Sequence, residues 1–308
     1  MSSASEGRFP SSSVPLLTRP PRFATLLTDD GVPVEAVYEP CTAGAGTPGS
    51  EAFEGPAATP AIVVAHGFTG SADRPAVRRA ARVFARRAAV VTFSFRGHGR
   101  SGGRSTVGDR EVLDLAAAVA WARELGHSRV VTVGFSMGGS VVLRHGALYT
   151  AGPAKTLTGH TAVRVPARAG RTGSAGAHSD AVVSVSAPAR WYYRGTAPMR
   201  RLHWVVTRPS GRLVGRYGLR TRIATADWDP VPLSPVAAVP LIAPAPLLLV
   251  HGDRDPYFPL DHPRMLAEAA GPGGAELWLE RGMGHAENAA GDALLARIAD
   301  WATAAPRA

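Results

Sequence analysis

Gly134-Phe135-Ser136-Met137-Gly138-Gly139 sets a serine where an apolar run, VVTVGF at 130–135, meets an apolar helical stretch at 137–149. A sharp strand-to-helix turn of this kind strains the serine backbone, and only glycine-sized neighbours let strand and helix approach so closely. The hydroxyl then stands at a helix start, where free N–H groups favour developing negative charge. This is chemistry for a nucleophilic serine. It requires a base, a carboxylate that orients the base, and N–H donors for an oxyanion.

Candidates for those partners follow along the chain. His66-Gly67-Phe68-Thr69-Gly70 ends a buried-strand run, and its Phe68 N–H, with that of Met137 just after the serine, would form a two-donor oxyanion hole. His66 precedes that loop, so a structural, hydrogen-bonding role is the reading preferred for it. Gly252-Asp253-Arg254-Asp255-Pro256 follows a later strand and offers two competing carboxylates, Asp253 and Asp255. Gly282-Met283-Gly284-His285 lies between a strand and the last helix, and His285 is the candidate general base.

Apolar strands alternating with helices must position these groups. Strands are expected at 61–68, 88–95, 130–135, 181–187, 246–252 and 275–280. Helices are expected at about 75–87, 109–125, 137–149, 262–270 and 288–303. Asp73 reads as an N-cap of the first helix, with Pro75 in its first turn and Arg86 and Arg87 at its C-terminal end. The alternation implies a mostly parallel sheet covered by helices on both faces. Residues 1–22, rich in Ser and Pro, read as a flexible tail, and 42–60 as a surface loop. The core is expected to comprise 23–187 and 241–308, interrupted at 151–180 by a Gly-, Ala- and Arg-rich stretch read as a flexible insertion on the far side from Ser136. Residues 188–240 read as a folded cap, with Trp191, Tyr192 and Trp204 as candidate substrate-binding residues.

Taken in order, HGFTG at 66–70, FRGHGRSGG at 95–103, GFSMGG at 134–139, the G-x-x-D-x-x-x-P at 252–259 and GHAE at 284–287 resemble the α/β-hydrolase superfamily. The likeness is nearest its monoacylglycerol-lipase-like and small carboxylesterase or feruloyl-esterase members. It covers about 60–303 apart from 151–180. It implies an α/β-hydrolase fold and a carboxylic ester hydrolase using Ser136, His285 and an aspartate. That aspartate falls on Asp255, leaving Asp253 auxiliary. The resemblance places the oxyanion donors on Phe68 and Met137 and makes Arg96, Gly97 and His98 a structural turn. No H-E-x-x-H, clustered Cys/His or glycine-rich nucleotide fingerprint appears in the sequence, so no metal and no organic cofactor is expected. Serine at 136 argues against the dehalogenase and epoxide-hydrolase chemistries of the superfamily, which use a carboxylate nucleophile. Thioesterase, acyltransferase, peptidase and cofactor-free perhydrolase activities share the same triad and stay open. An intact triad disfavours a non-catalytic binding protein.

Composition narrows the partners. The 308-residue chain carries a formal charge of +10. Residues 188–240 hold nine arginines against Asp227 and Asp229, while 151–180 hold four basic residues against Asp180. These two segments account for the whole excess, no nucleic-acid-binding motif appears, and a nucleic-acid partner is not expected. A small-molecule ester or acyl substrate is expected instead. The basic cap suggests anionic or interfacial acyl substrates and weak contact with an anionic or lipid surface. No apolar run of eighteen residues predicts a membrane span, and no secretory signal is legible. The lone Cys41 fits a reducing compartment, so a cytoplasmic location is expected.

Overall fold

The computed structural model describes residues 20–42, 59–150 and 176–305. Most of the expected tail, loop and insertion, at 1–19, 43–58 and 151–175, lies outside them. Eight strands form one sheet: β1 Arg22–Leu27, β2 Pro33–Glu39, β3 Ala61–Ala65, β4 Ala89–Phe93, β5 Val130–Phe135, β6 Ala181–Val185, β7 Leu247–Gly252 and β8 Glu276–Glu280. Their order is β1-β2-β4-β3-β5-β6-β7-β8. β2 pairs antiparallel with both β1 and β4, and every other pairing is parallel.

Strands β3, β4, β5 and β6 are buried at every position, because helices cover both faces. On one face, α2 (Glu111–Glu124), α3 (Met137–Leu148) and Leu266 of the later helix 261–270 contribute to one apolar layer. On the other, α1 (Pro75–Phe84) and the last helix, 292–304, form a second layer with Ile62, Val64, Val131, Val133 and Val183. Segment 188–240 adds α4 (Ala197–Thr207), α5 (Pro209–Leu213), which runs on as a π-helical turn to Gly218, and the short α6 (Pro235–Ala238). After it come α7 (Asp261–Ala270), α8 (Ala286–Ala289) and α9 (Asp292–Ala304).

Several boundaries differ from the sequence reading. Arg74, not Asp73, is the N-cap of α1, and no side chain caps it. Pro75 at its first turn needs no N–H partner. That helix stops at Phe84, so Arg86 and Arg87 lie beyond it, while Arg82 occupies the last turn. The expected helix at 288–303 is two helices, broken at Ala290 and Gly291. Residues 176–180 belong to the body rather than to an insertion. Ala177 and Ser179 are buried, and Asp180 accepts from the Arg123 guanidinium at 2.8 Å and from the Val130 N–H at 2.6 Å.

Parallel pairing aligns the strand ends. β3 leads into His66, β5 into Ser136, β7 into Asp253–Asp255 and β8 toward His285. All four exits lie at the C-terminal edge of the sheet, where open α/β folds gather their sites. Asp180 N–H donates to the carbonyl of Val130, the first residue of β5, so the chain re-enters the body at the sheet edge remote from Ser136.

Candidate active site

Ser136 sits between β5 and α3 with φ 53° and ψ −113°, a positive φ that costs a non-glycine residue on the order of 1–3 kcal/mol. The surroundings impose it. A Cβ at Gly134 would fall on the Gly138 carbonyl, and one at Gly138 would fall on the Ala65 carbonyl. The Ser136 N–H donates to the Val185 carbonyl at 2.9 Å, and its own carbonyl accepts from Ser140 N–H at 3.1 Å.

The loop after β8 brings His285 to the serine. Its Nε2 lies 2.8 Å from Ser136 Oγ, and its Nδ1 lies 2.7 Å from Asp255 Oδ2. A carboxylate partner requires Nδ1 to carry the proton, which leaves Nε2 free to accept one from the serine. The Tyr257 ring packs on the imidazole at 4.3 Å between centroids, and Phe258 flanks it at 5.6 Å.

The two candidate aspartates divide cleanly. The Asp255 side chain is fully buried, and its Oδ1 accepts the N–H groups of Tyr257 at 2.8 Å and Phe258 at 3.1 Å. Burial alone pushes this carboxyl up. The hydrogen bond and charge of His285, with the two backbone donors, outweigh burial and hold it below the usual carboxylate range. Asp253 instead accepts the Gly282 N–H at 2.6 Å, tying the β7 loop to the loop that carries His285. His251, which the sequence reading passed over, completes this wall. It is buried, its Nε2–H donates to the Phe258 carbonyl at 2.9 Å, and burial lowers its pKa.

Facing the serine, the 66–70 loop is locked by histidines. His66 Nδ1–H donates to the Gly67 carbonyl at 2.7 Å, and its Nε2 accepts the Phe95 N–H at 3.0 Å. The Gly70 N–H donates to that same carbonyl at 2.9 Å. In a planar trans peptide the N–H points opposite its C=O, so fixing the Gly67 carbonyl fixes the Phe68 N–H. Neither the Phe68 nor the Met137 N–H has an acceptor among the described residues, and both residues border the cavity beside Ser136. His98 is buried; its Nδ1–H donates to the Arg96 carbonyl at 3.0 Å and its Nε2 accepts from Thr69 N–H at 3.3 Å. Beneath the loop, the buried Glu287 accepts the Gly67 N–H at 3.3 Å.

A cavity of about 480 Å³ opens above Ser136. Trp191, Tyr192, Tyr193, Trp228 and Phe258 wall it with aromatic rings, and Met199, Leu202, Val206 and Ile223 add aliphatic surface. The indoles have their N–H groups turned to protein acceptors: Trp191 to the Pro232 carbonyl at 2.9 Å and Trp228 to the Thr106 carbonyl at 2.7 Å. What they offer the cavity is therefore apolar ring. Trp204 does not line it. Met199, Leu202, His203 and Val206 share the inward stripe of α4, whereas Trp204 falls on its outer side with Arg200 and Arg201, 45% exposed.

The remaining wall, Ser105–Val107, rests on a carboxylate whose role was not read from the sequence. Buried Glu111 accepts from Ser105 Oγ, Thr106 N–H and Oγ1–H, Val107 N–H and Gly108 N–H. The fully buried Arg144 of α3 clamps the same loop through the carbonyls of Gly108 and Asp109. A lone glutamate at a helix start was the only signal of this in the sequence.

A family profile described as alpha/beta hydrolase fold matches residues 60–287. The chain belongs to the alpha/beta hydrolase fold family. Among solved structures it is similar to the esterase Pf2001 of Pyrococcus furiosus, with a TM-score of 0.61 and 19% identity over 92% of this chain and 91% of that one. The α/β hydrolase GrgF of a Penicillium species gives a TM-score of 0.61 and 17% identity over 92% and 98% of the two chains. Est1E of Butyrivibrio proteoclasticus, solved with ferulic acid bound, gives 0.51 and 15% over 91% and 96%. At these identities the likeness is one of fold. No match was found among curated proteins. Among the described residues, no helix of this hydrolase-fold chain is long and apolar enough to cross a membrane.

Proposed function

We propose that the protein is a serine hydrolase that cleaves a carboxylic ester through an acyl-enzyme. The observation that carries this reading is the continuous relay from Ser136 Oγ to His285 Nε2 at 2.8 Å, and from His285 Nδ1 to Asp255 Oδ2 at 2.7 Å.

In the proposed reaction Ser136 Oγ attacks the ester carbonyl carbon while its proton passes to His285 Nε2. Asp255, held ionised, stabilises the imidazolium without taking its proton. The carbonyl π electrons move onto oxygen, and the Phe68 and Met137 N–H groups receive the oxyanion. Collapse breaks the carbon–oxygen bond to the alcohol, which leaves with the proton from His285. Water then attacks the acyl carbon, giving its proton to His285, and the acid departs as Ser136 regains its hydrogen. No cofactor enters these steps.

In this reading residues 23–187 and 241–308 are the catalytic body and 188–240 are a cap that selects the substrate. The aromatic and aliphatic walls suit esters with an apolar acyl or alcohol part small enough for the cavity. A fluorophosphonate probe followed by peptide mapping tests the assignment, together with a panel of p-nitrophenyl esters of increasing acyl length. Labelling confined to Ser136, and ester turnover abolished by Ser136→Ala, are the expected results. Labelling elsewhere would overturn it.

A further inference from the structure

From Trp191 to Ala226 the chain carries eight arginines and not one acidic residue. Arg194, Arg200, Arg201, Arg208, Arg216 and Arg220 are exposed. Within this stretch α5 and its π turn are built inside out. Gly211 and Gly215, four residues apart, are buried. A Cβ at Gly211 would overlap the Trp204 carbonyl, and one at Gly215 would stand 3.0 Å from Ile223 Cδ1. The close approach to α4 at Gly211 and to Ile223 at Gly215 thus consumes the small residues. Leu213, Val214 and Tyr217 are left facing outward, 59%, 45% and 74% exposed. A helix whose task was only to roof the cavity would turn its apolar residues inward. Trp204, whose carbonyl meets Gly211, extends the exposed apolar surface onto α4, and the Arg216 guanidinium lies 5.5 Å from the Tyr217 ring centroid.

Apolar side chains interleaved with unopposed cations define the occupant by complementarity. A second copy docking by the same face would set arginines against arginines. An anionic bilayer supplies acyl chains for Leu213, Val214 and Tyr217, and negative headgroups for the arginines, whose stems can lie along the apolar boundary. We infer that the outer face of 197–218 docks on an anionic lipid bilayer, placing the cap against the membrane surface. This inference is independent of the chemistry assigned to Ser136.

Flotation of the full chain carrying Ser136→Ala tests it without hydrolysis of the lipid. The probes are vesicles of phosphatidylcholine alone and vesicles containing about 30% phosphatidylglycerol. Binding to the anionic vesicles should be at least roughly tenfold tighter, and should weaken as salt rises and the Debye length shrinks below about 10 Å. Leu213→Ser/Val214→Ser/Tyr217→Ser and, separately, Arg201→Glu/Arg216→Glu should each cut that binding roughly tenfold. In the Ser136 background both variants should turn over a water-soluble ester as before, since none of these side chains lines the cavity. Equal binding to both vesicles, or to neither, overturns the inference. So does a dimer, seen by light scattering, that the triple-serine variant dissociates, because a second copy would then cover the face. Failure of the hydrolase reading would show instead in the turnover of the Ser136 protein, not in flotation.

Discussion

Asp255 Oδ2 lies 2.7 Å from His285 Nδ1, while Asp253, two residues earlier, is bonded to the Gly282 N–H and not to the imidazole. Two positions along one loop thus separate a carboxylate bonded to the imidazole from one that fastens the loop carrying His285. Asp255→Asn is expected to lower kcat by about four orders of magnitude, because the amide favours the wrong imidazole tautomer. Asp253→Asn keeps a carbonyl acceptor for Gly282 and should stay within roughly tenfold of wild type. Steady-state kinetics of the two variants rank them, and the reverse order would reject the proposed relay.

His66 acts one bond away from the chemistry in the proposed mechanism, through the Gly67 carbonyl that it fixes at 2.7 Å. His66→Ala frees that peptide to rotate, so the Phe68 N–H loses its aim. The expected result is a fall in kcat of roughly 10²–10³-fold, the scale of losing one oxyanion donor, with KM little changed. A rise in KM at constant kcat would mean that the loop shapes binding alone.

Glu111 gathers donors from four consecutive residues, Ser105 to Gly108. Glu111→Ala strands two buried donors, the Ser105 hydroxyl and the Gly108 N–H, each costing about 1–3 kcal/mol before water compensates, and three half-buried ones at Thr106 and Val107. A clear drop in Tm is expected by calorimetry. Because Ser105, Thr106 and Val107 form a cavity wall, KM should rise more than kcat falls.

Buried histidines set the acid limit of stability. Burial pushes His66 and His145 down from 6.5 to about 3, and His262 to about 4. With folded values below unfolded ones, the unfolded chain binds more protons between these limits. The contribution of these three rings is therefore fully present above pH 6.5 and is lost as pH falls toward 3, and it outweighs the opposite contribution of Asp114, which burial raises to about 7. At pH 5 each fully buried ring, His66 and His145, costs on the order of 2 kcal/mol. Urea unfolding at pH 7 and pH 5 measures this directly; equal or greater stability at pH 5 would contradict it.

Replacing 152–175 with a short Gly/Ser linker is expected to leave ester turnover within a few-fold of wild type. The reason is placement: α3 carries the chain away from Ser136, and Asp180 rejoins the sheet at the start of β5. Residues 176–180 must be retained, since Asp180 holds both Arg123 and the Val130 N–H. A folded linker variant without activity would place the segment in the site after all.

Local sequence determined much of this molecule. Continuous apolar runs specified buried parallel strands, and the glycines around Ser136 specified the sharp turn, because both follow from backbone geometry within a few residues. The positions of His66, Ser136, Asp255 and His285 at strand exits were legible for the same reason. What was not legible depended on contacts across tens or hundreds of positions. Glu287 reaches Gly67 across 220 residues, and Trp228 reaches Thr106 across 122. Residue type alone left Asp253 and Asp255 competing; the resemblance pointed to Asp255, and the 2.7 Å contact that sets it against His285 exists only once the two loops have packed. Trp204 was misplaced because an aromatic residue in a helix declares burial only once the helix has rotated onto its partner. In α4 Met199, Leu202 and Val206 won the inward stripe, and Trp204 was left on the outside beside the arginines.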